Sequence, residues 1–288
     1  MRKLLGLVSI LILITGFIIF KGSDAPETEF PSYTSNTTHP VIVVAGDISC
    51  NRISYLSSEC QQEKTANLVE KINPDAVLIL GDLQYENGNL EDFYKFYDRS
   101  WGKFKDKTYP ALGNHEYQTK DAQGYFNYFP KIKSYYSFNL GDWHLISLDS
   151  NKFNQDQIKW LEEDLKTNLT TCSLAYFHHP YFSSGKHGLN DFVKPVWEIL
   201  SRNGVDLVLN GHDHIYERFV TQDGIRQFIV GTGGRSLYSI KNINKYSQVR
   251  NNENFGVLKL ILHKDSFDWE FISTNRSEFR DSGSARCN

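Results

Sequence analysis

Ala76-Val77-Leu78-Ile79-Leu80-Gly81-Asp82-Leu83-Gln84-Tyr85 decides how this chain is read. Five apolar residues in a row, with no polar alternation, suit a strand buried on both faces, as in a parallel sheet. Gly81 ends the run and leaves Asp82 at the carboxyl end of the strand, the edge at which open α/β sheets bind ligands. A carboxylate in that place can bridge two cations, one through each oxygen. Tyr85 brings a phenol oxygen within reach of the same spot. Taken alone, the pentapeptide Gly81–Tyr85 is more often a loop with a helix-capping aspartate. The rest of the chain changes that balance.

The same device recurs outward from this stretch. Val41-Ile42-Val43-Val44-Ala45 runs into Gly46-Asp47, and Thr108-Tyr109-Pro110-Ala111-Leu112 leads to Gly113-Asn114-His115-Glu116. Ser173-Leu174-Ala175-Tyr176-Phe177 ends at His178-His179-Pro180, and Val205-Asp206-Leu207-Val208-Leu209 ends at Asn210-Gly211-His212-Asp213-His214. Helical spacing is expected over 59–72, 90–98, 155–165 and 191–201, with Asp191 capping the last. Residues 135–148 read as an antiparallel pair turning at Gly141-Asp142, and 227–230, 255–262 and 266–272 as further strands. Strand–helix alternation followed by antiparallel pairs predicts one α/β (α+β) domain, a two-sheet αββα sandwich with helices outside.

The chain has 288 residues and a formal net charge of −3, with no basic block. That balance argues against nucleic acid as a partner. Arg2 and Lys3 precede the uncharged apolar stretch Leu4–Phe20, which Lys21 closes. Residues 1–21 are expected to be a secretory signal or an uncleaved N-terminal anchor. If retained, residues 4–20 would contact a membrane. Residues 22–39 read as a polar linker, and the folded domain is expected over 40–288. Cys50, Cys60, Cys172 and Cys287 fit an oxidising compartment. Three pairings are open; one of them closes a short Cys50–Cys60 loop and leaves Cys172–Cys287 to tie down the C-terminus. Asn36, Asn168 and Asn275 head glycosylation sequons.

Asp47, Asp82, Tyr85, Asn114, His178, His212 and His214 form a mixed oxygen and nitrogen donor set without sulfur, suited to zinc, iron or manganese. It is too large for one tetrahedral ion and about right for two ions sharing one carboxylate. Two metals roughly 3.5–4 Å apart clamp a phosphoryl group for in-line displacement. His178 and His179 are adjacent, so on a strand they would point to opposite faces, and only one is expected as a ligand. His144 and His263 lie in strand-like stretches away from these loops and are expected to be structural.

The blocks Gly46-Asp47, Gly81–Tyr85, Gly113–Glu116, His178-His179-Pro180 and Gly211–His214, in this order, resemble those of the calcineurin-like metallophosphoesterases, and within them the purple acid phosphatases in a short form. Most relatives have a metal-binding histidine two residues after the first aspartate. Here that place is Ser49, and the purple phosphatases are similar in using the tyrosine that Tyr85 matches. The resemblance implies that Asp47, Tyr85 and His214 bind a first metal, an iron, and that Asp82 bridges. It implies that Asn114, His178 and His212 bind a second metal, which is zinc, manganese or iron. His115 would help the leaving group depart, and His187, nine residues after His178, matches a substrate-binding histidine. The implied activity is hydrolysis of small phosphoesters outside the cytoplasm, foremost as a phosphomonoesterase. A phosphodiesterase or nucleotidase on the same fold, and a non-catalytic envelope protein with a structural metal site, are the alternatives. No long β-sandwich precedes residue 40, unlike the plant enzymes.

Overall fold

The computed structural model describes residues 38–51, 59–168, 170–275 and 279–288. The expected signal or anchor segment and nearly all of the expected linker lie outside the described residues. Among the described residues no helix is long and apolar enough to cross a membrane.

Two sheets carry the domain. The first runs β13 (Ser282–Arg286), β12 (Ser266–Ser273), β11 (Gly256–Leu262), β1 (Val41–Ala45), β2 (Ala76–Leu80), β3 (Thr108–Ala111). The second runs β10 (Ser247–Asn251), β8 (Tyr216–Phe219), β9 (Arg226–Val230), β7 (Leu207–Asn210), β6 (Cys172–Tyr176), β5 (Trp143–Ser147), β4 (Tyr136–Leu140). β1, β2 and β3 are mutually parallel neighbours, and so are β5, β6, β7 and β9. Antiparallel strands flank both parallel blocks. This is the expected two-sheet arrangement, and the unbroken apolar runs are its parallel centre, where β1 and β2 are buried almost throughout.

Side-chain alternation sorts each buried strand between two partners. Phe267, Trp269 and Phe271 of β12 meet Trp143, Phe228 and Tyr216 of the second sheet, with ring centroids 5.8, 5.9 and 4.3 Å apart. Aromatic rings thus join the two sheets along β12, and a second aromatic group, Phe93, Tyr97, Tyr125, Tyr128 and Phe129, packs together elsewhere. Ile146, Ala175, Val208 and Ile229 belong to an apolar cluster with Leu161, Val196, Trp197 and Leu200 of the helices Gln155–Thr167 and Lys194–Arg202. Each large apolar side chain fully buried there contributes about 1.5–3 kcal/mol relative to exposure. The helix Gln62–Ile72 lies against the first sheet.

The structure revises several expectations. β3 forms as expected despite Pro110, which is tolerated because β3 is an edge strand with one side of its backbone unpaired. β10 falls inside residues 235–252, expected to be loop, and β8 and β13 are short or small-residue strands without a clear apolar alternation. Asp191 does not cap a helix: it opens a tight turn, Asp191–Val193, before Lys194–Arg202, and no side chain caps that helix. Asn154 does cap its helix, accepting the Gln157 N–H. Of the open pairings, Cys50–Cys60 and Cys172–Cys287 are formed, with Cα atoms 6.0 and 5.6 Å apart. The second joins the chain's end to the start of β6.

Candidate metal centre

The carboxyl ends of five strands meet at one edge. β1, β2 and β3 contribute the loops of Asp47, Asp82 and Asn114, and β6 and β7 contribute those of His178 and His212. Backbone bonds seal the edge: Gly46 N–H donates to the Val230 carbonyl at 2.9 Å, and Asp47 N–H to the Gly81 carbonyl at 3.1 Å. Gly81 has a left-handed φ of +85°, and a Cβ on it would lie 2.6 Å from His178 Nδ1 and 2.8 Å from the Gly113 Cα. Only glycine lets these loops approach so closely. Asp47, Asp82 and His212 themselves take positive φ of 60°, 50° and 69°. Each follows a glycine, and Asp and His are among the residues that accept this backbone at modest cost. Strained residues gathered at one place mark a site the fold over-determines.

All nine residues singled out in the sequence converge here. Asp47, Asp82, Tyr85, His178 and His214 are buried. Tyr85 Oη lies 2.8 Å from Asp47 Oδ1, 3.0 Å from Asp82 Oδ2 and 2.9 Å from His214 Nε2. On the other side His178 Nε2 lies 3.2 Å from Asp82 Oδ2, 3.1 Å from Asn114 Oδ1 and 3.2 Å from His212 Nδ1. His212 N–H donates to Asp47 Oδ2 at 2.9 Å. His178 Nδ1 meets the Leu80 carbonyl at 2.8 Å and His214 Nδ1 the Ser236 carbonyl at 2.7 Å. Those carbonyls only accept, so both histidines hold a hydrogen on Nδ1 and turn Nε2 inward.

Asp82 joins the two halves, though not with one oxygen for each. Its Oδ1 accepts the His115 N–H at 2.9 Å, so Oδ2 alone faces both Tyr85 and His178. Burial pushes the Asp82 carboxyl up, but His178 and His115 outweigh it and hold the group ionised well below the usual range. Burial, then Asp47 and Asp82, raise the Tyr85 phenol far above its ordinary value, so it stays neutral until a cation is near. Burial lowers His178, yet Asp82 carries it to about 9.

The donor set fits a pair of cations. Tyr85 has one hydroxyl hydrogen and three acceptors around it: two carboxylate oxygens and the bare His214 Nε2. His178, raised to about 9, holds one hydrogen on Nε2 among the Asp82 and Asn114 oxygens, in the place a cation would take. Each half has more acceptors than hydrogens, and no Lys or Arg among the described residues is bonded to these atoms; the pair of metal ions that the donor set fits would supply the missing positive charge.

The expected substrate-side residues flank this cluster. His115 Nδ1 bonds the Glu86 carbonyl, its Nε2 is 3.9 Å from Asp82 Oδ2, and its ring centroid is 4.3 Å from that of Tyr85. His187 stacks on His212 at 4.0 Å, held through Nδ1 by Asp213 Oδ1 at 2.9 Å. His144 and His263 lie away from the site, bonded to Asp164 and Asp268.

Three supporting residues escaped the sequence reading. Glu116 accepts N–H groups from Asp82, Leu83, Gln84 and Gly113, tying two of the site's loops together; burial and then Asp82 push it up to about 8 against those bonds. Tyr238 stacks on His214 at 3.9 Å from a loop that carries no motif. His179 does not point away from His178. β6 ends at Tyr176, so strand alternation no longer governs residues 178 and 179, and one ring nitrogen each of His178, His179 and His212 lie within 4.8 Å of one another.

The sequence profile of the calcineurin-like phosphoesterases matches residues 40–216, more than half of the chain. The chain belongs to that family, by class metal-dependent phosphoesterases, and membership implies a dinuclear metal centre. Among its relatives, purple acid phosphatase 17 of Arabidopsis thaliana is 24% identical over 270 residues, covering 80% of this chain and 78% of that protein. Purple acid phosphatase 15 of the same plant is 28% identical over 222 residues, covering 62% of this chain but 40% of that protein. Among solved structures, the purple acid phosphatase PPD1 of yellow lupin seeds superposes with a TM-score of 0.71 at 18% identity, over 87% of this chain and 54% of that one. GAP50, described as the anchor in the inner membrane complex of Plasmodium, also reaches 0.71 at 14% identity, over 88% of this chain and 90% of its own. At these identities both structures speak to the fold alone.

Proposed function

We propose that this protein is an exported phosphomonoesterase of the purple acid phosphatase type. The observation that carries the reading is the excess of acceptor atoms over hydrogens around Tyr85 and His178, joined by the single oxygen Asp82 Oδ2. In this reading Asp47, Tyr85 and His214 hold a first metal, Asn114, His178 and His212 a second, and Asp82 is shared. The first is iron and the second zinc, manganese or iron, a choice supported by the phenol at position 85 and the mixed O/N donors. When bound, the pair neutralises phosphate oxygens and acidifies water to a pKa near ~7.

The protein's own groups do the rest. His187, oriented by Asp213, and His115 hold the phosphate. In its doubly protonated form His115 gives the Nε2 hydrogen to the departing alkoxide as general acid and is left neutral, its remaining hydrogen kept on Nδ1 by the Glu86 carbonyl. The two disulfides support export, with residues 1–21 as signal or anchor, 22–39 as linker and 40–288 as the catalytic domain.

Purified protein with measured metal content is assayed on p-nitrophenyl phosphate and on bis(p-nitrophenyl) phosphate, and its visible spectrum is recorded. Faster monoester turnover and a purple colour are expected. Preference for the diester turns the reading into a phosphodiesterase on the same fold. Inertness to both, with metal bound, favours a non-catalytic metal protein. A colourless active protein removes the iron–tyrosinate assignment alone.

A further inference from the structure

His179 differs from the other histidines of the site in what its Nδ1 faces. In His178 and His214 that nitrogen meets a carbonyl oxygen at 2.8 and 2.7 Å, in His115 the Glu86 carbonyl, and in His187 a carboxylate at 2.9 Å. All four partners can only accept, so all four nitrogens carry hydrogen. His179 Nδ1 instead lies 2.8 Å from the Ser150 hydroxyl. Ser150 is buried, and its oxygen already accepts the His179 backbone N–H at 3.1 Å. Among the described residues, the hydroxyl hydrogen has Nδ1 as its acceptor. The ring therefore accepts at Nδ1 and holds its hydrogen on Nε2.

A neutral imidazole so arranged has no lone pair left for a cation, but offers an N–H to an oxygen. Its position suits that task. The ring is half-buried, tilted against His212 at 4.4 Å and 5.0 Å from His178, the two imidazoles of the second-metal half, with Phe192 at its edge at 5.4 Å. We propose that His179 is a further phosphate-binding residue, its Nε2–H donating to a phosphate oxygen held on the His178–His212 side, with Ser150 as the residue that fixes its tautomer. This rests on the reading of the site as a phosphoesterase. It adds a donor without adding charge, beside His115 and His187 on the other faces of the same group.

The test compares His179→Ala, His179→Gln and Ser150→Ala with the parent protein, each loaded with metal. Metal content is measured by mass spectrometry and inorganic phosphate binding by calorimetry; turnover of p-nitrophenyl phosphate is followed in parallel. A hydrogen bond to an anion implies about tenfold weaker phosphate binding in His179→Ala. His179→Gln, whose amide N–H2 reaches the Nε2 place, is expected within about threefold of the parent, and Ser150→Ala between the two. Metal content stays at the parent's value in all three. Unchanged phosphate affinity in His179→Ala overturns the proposal, and so does loss of metal from both His179 variants, which makes the residue a ligand. Calorimetry needs no turnover. A parent protein that binds phosphate yet leaves the ester intact therefore counts against the hydrolase reading, not against this contact.

Discussion

Two buried charged clusters in this molecule are built on opposite plans. At the strand ends, Asp47 and Asp82 meet Tyr85, His178 and His214 with no Lys or Arg bonded to the cluster among the described residues. Behind β8, Arg218 holds Asp281 in a two-pronged pair at 2.8 and 2.9 Å, and Tyr216 donates to the same carboxylate at 2.6 Å. The second cluster neutralises itself with the chain's own cation, so its charge serves architecture. The first leaves negative charge and lone pairs for something that is not protein. Burying a carboxylate costs several kcal/mol unless it is paired. A fold that repeats this cost at two neighbouring aspartates and strains three backbone positions to do it has been shaped around an external cation.

The largest effect is expected where the shared oxygen is removed. Asp82→Asn should cost about a thousandfold or more in kcat/KM, the worth of several kcal/mol of charge stabilisation, together with most bound metal. Steady-state assays with metal analysis check this; full activity with full metal occupancy removes the site assignment.

Next comes the self-paired cluster. Arg218→Ala strands a buried carboxylate and should lower stability by about 3–5 kcal/mol in urea unfolding. The double change Arg218→Met with Asp281→Leu should be close to neutral, because an internal ion pair is replaceable by apolar packing. No such rescue is expected for the strand-end cluster. The pH dependence sharpens the point. Burial raises Asp281 but Arg218 and Tyr216 outweigh it, leaving its folded-state pKa lowered. Its contribution is thus complete above the unfolded value near ~3.9 and is lost as pH falls through the lower folded value. Relative to the double variant, which has no carboxylate there to protonate, the wild type should lose stability only below about pH 4.

Removing the metals should cost less. For a site saturated at about a hundred times its dissociation constant, chelation lowers stability by about 2.7 kcal/mol. Calorimetric melting with and without chelator reads this, and an unchanged Tm means the cluster holds no ion. Smallest in turnover, Tyr85→Phe should reduce kcat/KM roughly tenfold while abolishing any visible absorption band. A band that survives assigns the colour to another ligand.

Much of the first cluster could be read before any coordinates. An apolar run followed by a donor residue is a local pattern; Asp47, Asp82, Asn114, His178 and His212 all carry it, and all but His178 have a glycine just before the donor. Tyr85 needed only its spacing from Asp82. Residues whose role depends on a partner far along the chain were not readable this way. Arg218 and Asp281 are ordinary surface-type residues in sequence and meet only because β8 runs beside the segment leading into β13. The direction of the His179 ring was misread because alternation was extended past the end of its strand, although the expectation of a single ligand in the His178-His179 pair is not contradicted. β3 was readable in spite of Pro110, whose missing N–H matters only if a second neighbour exists.

The order of the strands' closing residues, their chemistry and the glycines between them were determined by the sequence, because steric limits on φ and the buried apolar runs act over a few residues. Which oxygen of Asp82 is free, which nitrogen of each histidine carries hydrogen, and which charged cluster is already neutral were decided by the tertiary structure alone. Those are properties of hydrogen-bond partners brought from distant strands, and no local pattern encodes them.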